Sequence, residues 1–387
     1  MDTIIVEVEF IDQKQKKMIT HIQSGICRPV HKSTHCSNYT QKVAYPIHHP
    51  GKDADCADKK MNCANEACIM MVRVRKLPYT LKIGENSMLK SQKAIGEYLT
   101  LPKLTLEQVS HNSQIAAEKY LYGDERGQYI LYFGPVKKAS RHVIIFIHGG
   151  GWIAGSPDRY KFIGQKFADM GYHTISLGYR HTPLNKYPAQ AEDVFSGYCK
   201  AMIILLGKGI KTKDIIVIGS SAGGHLGGVL TYDKNLQAKY GVDPGNIKGF
   251  VSLGGILTFG VEYARYTQNL MNALFEKDYD RVNAEPYAMV NGTEKTKVLC
   301  IHSQNDPVSA IQNETIFVDK INSFHKGYGK KYIVKDETIF HSNLVTGIFF
   351  EDTETSPSLK ELFRWIKALP SKAVYPEVKK EDIVVLD

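Results

Sequence analysis

Between about residue 129 and the C-terminal part of the chain, short runs of apolar and β-branched residues alternate with longer segments whose apolar positions recur at helical spacing. The runs cover 129–133, 143–147, 173–177, 215–218, 249–253, 298–301 and 331–334. A strand with one face in water alternates apolar and polar residues. The middle runs here are apolar almost throughout, which predicts strands covered on both faces and a mostly parallel sheet. Strands alternating with helices at this interval predict an α/β fold, with a central sheet flanked by helices.

The intervening segments carry helix punctuation. Ser156-Pro157 offers an N-cap and a first-turn proline ahead of Tyr160, Phe162, Ile163, Phe167 and Met170, and Gly171 stops the run. Pro188 opens a second helix that ends near Gly207. Apolar spacing predicts further helices over 311–321 and 359–369, and one ahead of the sheet over 104–122. Residues 255–292 exceed a simple connection and are rich in Tyr, Phe, Leu and Met, which predicts a small lid or pocket wall.

The first part of the chain differs. Residues 11–70 are polar, rich in His, Cys, Lys and Asp, and keep no period of 2 or 3.6, so they lack material for a core of their own. The expected organisation is an N-terminal segment over 1–90, poorly ordered or outside the catalytic domain, then a catalytic domain over 91–371 and a tail over 372–387. His31, His35, Cys36, Cys56, Cys63 and Cys68 could be assembled into a metal site, but no Cys-x-x-Cys pair occurs and the spacings match no familiar zinc pattern, so no metal is expected. Cys199 and Cys300 stand apart in apolar contexts and read as buried free thiols.

Composition narrows the class further. A 387-residue chain with 43% hydrophobic and 23% charged residues is that of a globular protein with a packed core. The net charge of +9 is spread along the chain, with the densest cluster at Lys14-Gln15-Lys16-Lys17. That predicts a solvated surface and no nucleic-acid partner. No apolar stretch is long enough to span a bilayer, and residues 1–10 lack the basic start and apolar run of a secretory signal. A cytoplasmic location without a disulfide framework is the expectation.

Chemistry enters at Gly219-Ser220-Ser221-Ala222-Gly223, which fits G-x-S-x-G. The bare pattern turns up by chance in roughly one chain in eight of this length. Its weight comes from context: an apolar run over 215–218 leads into it and a small-residue helix starting at Ala222 follows. A strand turning sharply into a helix strains the central residue, and glycines at 219 and 223 remove side chains that would collide. Ser221 is therefore the candidate nucleophile, while Ser220 is expected to make a local hydrogen bond and His225 to pack or hydrogen-bond.

His148-Gly149-Gly150-Gly151-Trp152 directly follows the run 143–147. Neither phosphate-loop pattern is present. Consecutive glycines let backbone N–H groups converge on an oxyanion, and the expected hole is formed by Gly150, Gly151 and Ala222, with Trp152 binding substrate and His148 anchoring the loop. A serine nucleophile needs a general base and a carboxylate to orient it, in chain order Ser, Asp, His. Asp306, in the loop after the run 298–301, is preferred to Asp319 and Asp336. His341, after the run 331–334, is preferred to His325, which sits at a helix end.

These residues resemble the α/β-hydrolase esterases similar to hormone-sensitive lipase and bacterial acetyl esterases, including the kynurenine-formamidase-like branch. The matching pieces are His148-Gly-Gly-Gly-Trp152, Tyr179-Arg-His-Thr-Pro183, Tyr187-Pro-Ala-Gln-Ala-Glu-Asp193, Gly219-Ser-Ser-Ala-Gly-Gly-His-Leu226, and Asp306 followed by His341, over about residues 100 to 370. The resemblance implies an α/β-hydrolase fold with a small cap and a cofactor-free hydrolase of small acyl esters or N-formyl amides. It also implies a structural role for Asp193. The chain departs from many lipase-like members in having Ser220 before the nucleophile and Ser303 ahead of the acid loop, which bears on substrate branch rather than mechanism. The expectation is ester hydrolysis through a Ser-His-Asp triad and an acyl-enzyme. An arylformamidase or peptidase on the same machinery is the enzymatic alternative, and a non-catalytic binding module on a hydrolase fold is the alternative of another class.

Overall fold

The computed structural model describes residues 2–11, 18–27, 39–46, 67–76 and 85–369. Contacts divide the chain into two units, Met1–Ile95 and Gly96–Asp387. In the first, strands β1 (Asp2–Ile11), β2 (Met18–Cys27), β3 (Tyr39–Pro46) and β4 (Ala67–Lys76) form a four-stranded antiparallel sheet in the order β2-β1-β4-β3. His31, His35, Cys36, Cys56 and Cys63 lie outside the described residues, and Cys68 is described only as part of β4.

Helix α1 (Glu85–Asn112) leads into the second unit. Its strands are β5 (Glu118–Leu121), β6 (Tyr129–Phe133), β7 (Val143–Ile147), β8 (His173–Leu177), β9 (Ile215–Ser220), β10 (Ile247–Leu253), β11 (Lys297–Ser303) and β12 (Gly329–Val334). They form an eight-stranded sheet in the order β12-β11-β10-β9-β7-β8-β6-β5. From β8 to β12 neighbours run parallel; β6 pairs antiparallel with β8, and β5 with β6. The other helices are α2 (Lys161–Asp169), α3 (Ala189–Gly207), α4 (Ala222–Tyr232), α5 (Lys234–Tyr240), α6 (Arg265–Leu274), α7 (Pro286–Met289), α8 (Ile311–Phe324), α9 (His341–Val345) and α10 (Pro357–Ala368). This is the α/β-hydrolase architecture, a mostly parallel sheet with helices on both faces.

Alternation along the strands sorts the core into two layers. Val143, Ile145 and Ile147 of β7 and Ile215 and Val217 of β9 pack with residues of α3, α4 and α8. Ile144, Phe146, Ile216 and Ile218 face the other way, toward Phe162, Ile163 and Phe167 of α2 and Leu359, Leu362, Phe363 and Ile366 of α10. Each such aliphatic or aromatic side chain contributes about 1.5–3 kcal/mol on leaving water.

Ser156 accepts from the Arg159 N–H, but the first turn, Pro157–Tyr160, is a 3-10 turn and the α-helix proper starts at Lys161. The helix ahead of the sheet ends at Asn112 rather than continuing to 122, and residues 118–121 form the edge strand β5. With four residues and an exposed outer face, that strand carries no apolar run to announce it. Cys300 is buried and Cys199 half-buried, both free, with Cys199 Sγ 3.5 Å from the Tyr240 carbonyl. Among the described residues no helix is long and apolar enough to cross a membrane.

Candidate active site

The parallel strands end together at the edge of the sheet where β9 turns into α4. Ser221 stands alone between them at φ 51°, ψ −119°. Its N–H donates to the Leu253 carbonyl at 2.9 Å, tying the turn to the end of β10. The glycines around it are demanded by close approach. A Cβ on Gly219 would lie 2.2 Å from the Gly223 carbonyl oxygen, and one on Gly223 would lie 2.1 Å from that of Ile147. Ala222 is the first residue of α4, so its N–H has no carbonyl one helical turn behind it.

The glycine-rich turn after β7 packs directly on this elbow: a Cβ on Gly149 would come within 3.1 Å of the Ser221 Cβ. Gly150 and Gly151 have φ of 123° and 59°, a region glycine enters freely, and the Gly150 carbonyl closes the turn by accepting from Ile153 and Ala154 N–H at 3.1 and 3.0 Å. Leu270 of α6 sits over Gly151, so the segment after β10 walls this side. Trp152 is only 1% exposed. Its indole N–H donates to His225 Nδ1 at 3.2 Å, and His225 Nε2 in turn donates to the Ala284 carbonyl at 2.8 Å. The indole, expected to bind substrate, is held here by its contact with His225. His148 is buried between the rings of Tyr179 and Tyr160, and burial brings it down to about 3, so it is neutral.

Asp306 and His341 come to Ser221 from two further loops. Asp306 follows β11; its Oδ1 accepts the N–H groups of Val308 and Ser309, both at 2.8 Å, which fixes the carboxylate plane. His341 is the first residue of α9. Its Nδ1 lies 2.6 Å from Asp306 Oδ2, and its Nε2 lies 2.8 Å from Ser221 Oγ. A carboxylate only accepts, so Nδ1 carries the proton and Nε2 is left to accept from the serine hydroxyl. Burial pushes the His341 imidazolium down, but Asp306 and, more weakly, Glu97 outweigh it and leave its proton affinity raised. Burial likewise opposes ionisation of Asp306, yet His341, His302 and the Ser309 N–H hold it below the usual carboxylate range.

The other sequence candidates sit apart. Asp336 caps Thr338 and His325 Nε2 binds the Gly292 carbonyl at 2.7 Å. Ser220 Oγ donates to the Val345 carbonyl at 3.2 Å, linking the elbow to the end of α9. Asp193 is buried and holds Arg180 N–H and Nε, each at 2.8 Å, and Gln128 Nε2 at 2.8 Å.

Three polar residues that were not among the sequence candidates lie next to this line. Glu97 of α1 accepts the Ser342 N–H on both oxygens, at 3.1 and 3.0 Å, and also the Ser342 hydroxyl, and so clamps the start of α9 beside His341. His302 of β11 and Glu314 of α8 are buried and 2.8 Å apart. A signal for the last pair exists: Glu314 interrupts the apolar stripe Ile311, Val318, Ile321 on α8, and His302 follows an apolar strand.

The BD-FAE family model matches residues 130–321, the span from β6 to α8. Esterase LipC of Mycobacterium tuberculosis is 26% identical over 232 residues, 55% of this chain and 57% of that protein, so the match spans little more than half of LipC. Kynurenine formamidase of Meyerozyma guilliermondii is 28% identical over 191 residues, 46% of this chain and 70% of that protein. Among solved structures, esterase 2 of Thermogutta terrifontis phosphonylated by sarin superposes with a TM-score of 0.56 at 17% identity, over 67% of this chain and 97% of that one, a likeness of fold.

Proposed function

The chain is an α/β-hydrolase similar in sequence to esterases, and on that premise we propose that it hydrolyses a carboxylic ester of a small acyl substrate, with Ser221 as nucleophile, His341 as general base and Asp306 as the group that orients the base. The observation that carries this reading is the unbroken hydrogen-bonded line from Asp306 Oδ2 through both nitrogens of His341 to Ser221 Oγ, with links of 2.6 and 2.8 Å. His341 Nε2 takes the hydroxyl proton as Oγ bonds to the carbonyl carbon. The carbonyl oxygen becomes an oxyanion received by the N–H groups of Gly150, Gly151 and Ala222. Collapse of the tetrahedral intermediate expels the alkoxide, which takes the proton from His341 and leaves an acyl-serine. Water then attacks by the same route and regenerates Ser221. Every proton moves between serine, histidine, water and leaving group, so the sequence of steps calls on no cofactor. Trp152 acts in it through the turn it supports.

Ser221→Ala tests the proposal. Turnover of p-nitrophenyl acetate should fall on the order of a millionfold, the scale of serine removal in related machinery, while far-UV circular dichroism stays unchanged. Near-full activity in that variant would refute the assignment. Labelling by a fluorophosphonate probe, lost in the variant, separates an activated serine from a silent binding module. The match over 70% of a kynurenine formamidase supports a second reading, hydrolysis of an N-formyl amide. Assays of N-formylkynurenine beside acyl esters decide between them: the substrate with the higher kcat/KM names the branch.

A further inference from the structure

The hydrolytic steps leave unused a second buried histidine beside Asp306. His302 stands near the end of β11, with Nε2 3.0 Å from the Ser309 carbonyl and Nδ1 2.8 Å from Glu314 Oε2. A backbone carbonyl only accepts, so Nε2 carries a hydrogen. On the other oxygen, Glu314 Oε1 meets Ser252 Oγ at 2.5 Å and the Gly255 N–H at 3.1 Å. The Gly255 N–H also donates to Ser252 Oγ at 3.1 Å, which turns the serine's own hydrogen toward the carboxylate. Two independent donors meet on Oε1, an arrangement that suits a carboxylate, and a carboxylate can only accept at Oε2, which puts the hydrogen between it and His302 on Nδ1. A ring protonated on both nitrogens is a cation.

We propose that His302 is an imidazolium paired with Glu314, and that this buried pair is a positioning element, holding Asp306 ionised and aimed at His341. The inference rests on the hydrolase reading of Ser221, His341 and Asp306. His302 Nε2 lies 3.7 Å from Asp306 Oδ2, the oxygen that accepts from His341. A buried ion pair is tolerated when its members find partners, because an unpaired charge away from water is strongly unfavourable; here both ring nitrogens and both carboxylate oxygens have them. Burial alone would neutralise His302, but Glu314 and Asp306 outweigh it and bring the ring up to about 9.

The charged and titratable groups around the pair come from several elements. Asp306 and His341 lie in the site, Glu97 acts on His341 from α1, Tyr263 feels Glu314 and Asp306 from the segment after β10, and Cys300 on β11 feels Glu314 and Lys331. Of these, His302 is the cation that works against protonation of His341. It keeps the base available near neutral pH while Asp306 still orients it.

Two measurements on the full chain test the inference. In protein labelled with 15N-histidine, the ring resonances of His302 at pH 7 should be those of an imidazolium with hydrogens on both nitrogens. Glu314→Gln, which removes the anionic partner, should return that ring to the neutral form and identifies the signal. In the double variant His302→Gln/Glu314→Gln, a neutral amide pair replaces the ion pair. Its acid limb in the kcat/KM profile should move up by on the order of half a pH unit, with kcat/KM on that limb lowered by up to about threefold. A neutral His302 ring in the unaltered protein, or an unmoved acid limb in a folded double variant, overturns the inference. Because the ring signal is read without turnover, a neutral ring in an active esterase sinks this inference alone. Absence of any serine-dependent hydrolysis sinks the reading beneath it instead.

Discussion

Among the described residues, Trp152 and Ser221 are the non-glycine residues with positive φ, at 61° and 51°, and both stand at the candidate site. Such conformations cost about 1–3 kcal/mol each and persist where the surroundings over-determine them. For Ser221 the surroundings are the strand behind, the helix ahead and the Leu253 carbonyl beside it. The ionisation of His341 sets the proposed reaction's response to pH. Its proton affinity is raised above the ordinary value of 6.5, and the base works only when neutral, so kcat/KM should fall as pH drops through a midpoint above 6.5. An activity flat down to pH 4 excludes His341 as base. Glu97 contributes to that raised affinity. Glu97→Gln keeps an acceptor for Ser342 but removes the charge, and should shift the acid limb down by on the order of a few tenths of a pH unit. That is opposite in sign to the shift expected on neutralising His302 and Glu314, so the two profiles measured side by side check each other.

At the scale of elements, α4 goes against helix propensity in order to place Ser221. Glycine in a helix interior costs about 1 kcal/mol relative to alanine, yet α4 carries Gly223, Gly224, Gly227 and Gly228. The reason is contact: an added Cβ at 223 would meet the backbone of β7 at 2.1 Å, and at 224 the Gly255 Cα at 2.7 Å. Gly223→Ala should therefore destabilise the protein by about 2–3 kcal/mol or more, read by chemical denaturation, and lower activity in step. Gly207→Ala, at the end of α3 with nothing within 4 Å of the new methyl, should be neutral or slightly stabilising. The same contacts explain what the sequence disclosed. The strands from 129 to 303 are legible because burial on both faces forces apolar runs, though β9 and β11 extend into Gly219-Ser220 and His302-Ser303, where the backbone ladder continues under polar side chains, while the half-buried edge strand β12 shows only the short run 331–334. β5 is not legible, since an exposed four-residue edge strand needs no apolar pattern. Ser221, Gly150 and Gly151 announce themselves by local motif, and Asp306 and His341 by chain order after strands. Glu97 and Glu314 follow no motif, because their task is set by residues 245 and 12 positions away along the chain.

Taken as a whole, the second unit buries histidines in opposite charge states, and this fixes how its stability must depend on pH. His148 and His225 are buried neutral, brought down to about 3 and about 4 by burial. Their folded values lie below the unfolded value of about 6.5. As pH falls from there, the unfolded chain binds protons that the folded one refuses, and stability is lost progressively until about pH 4 and below. His302 has the reverse sign. Its folded value of about 9 lies above the unfolded one, so its contribution is complete below about 6.5 and is lost as pH rises through about 9. His341, also raised, adds loss on the same alkaline side. Since all four share one unfolded value, the opposing slopes meet near pH 6.5, and unfolding free energy measured by denaturant at pH 4.5, 6.5 and 8.5 should be greatest at the middle point. Each group contributes up to about 1.4 kcal/mol per pH unit within its window. A stability unchanged from 4.5 to 8.5 would mean that these rings are not buried in the states assigned to them. A fall confined to the acid side would remove the cation from His302 while leaving His148 and His225 as described.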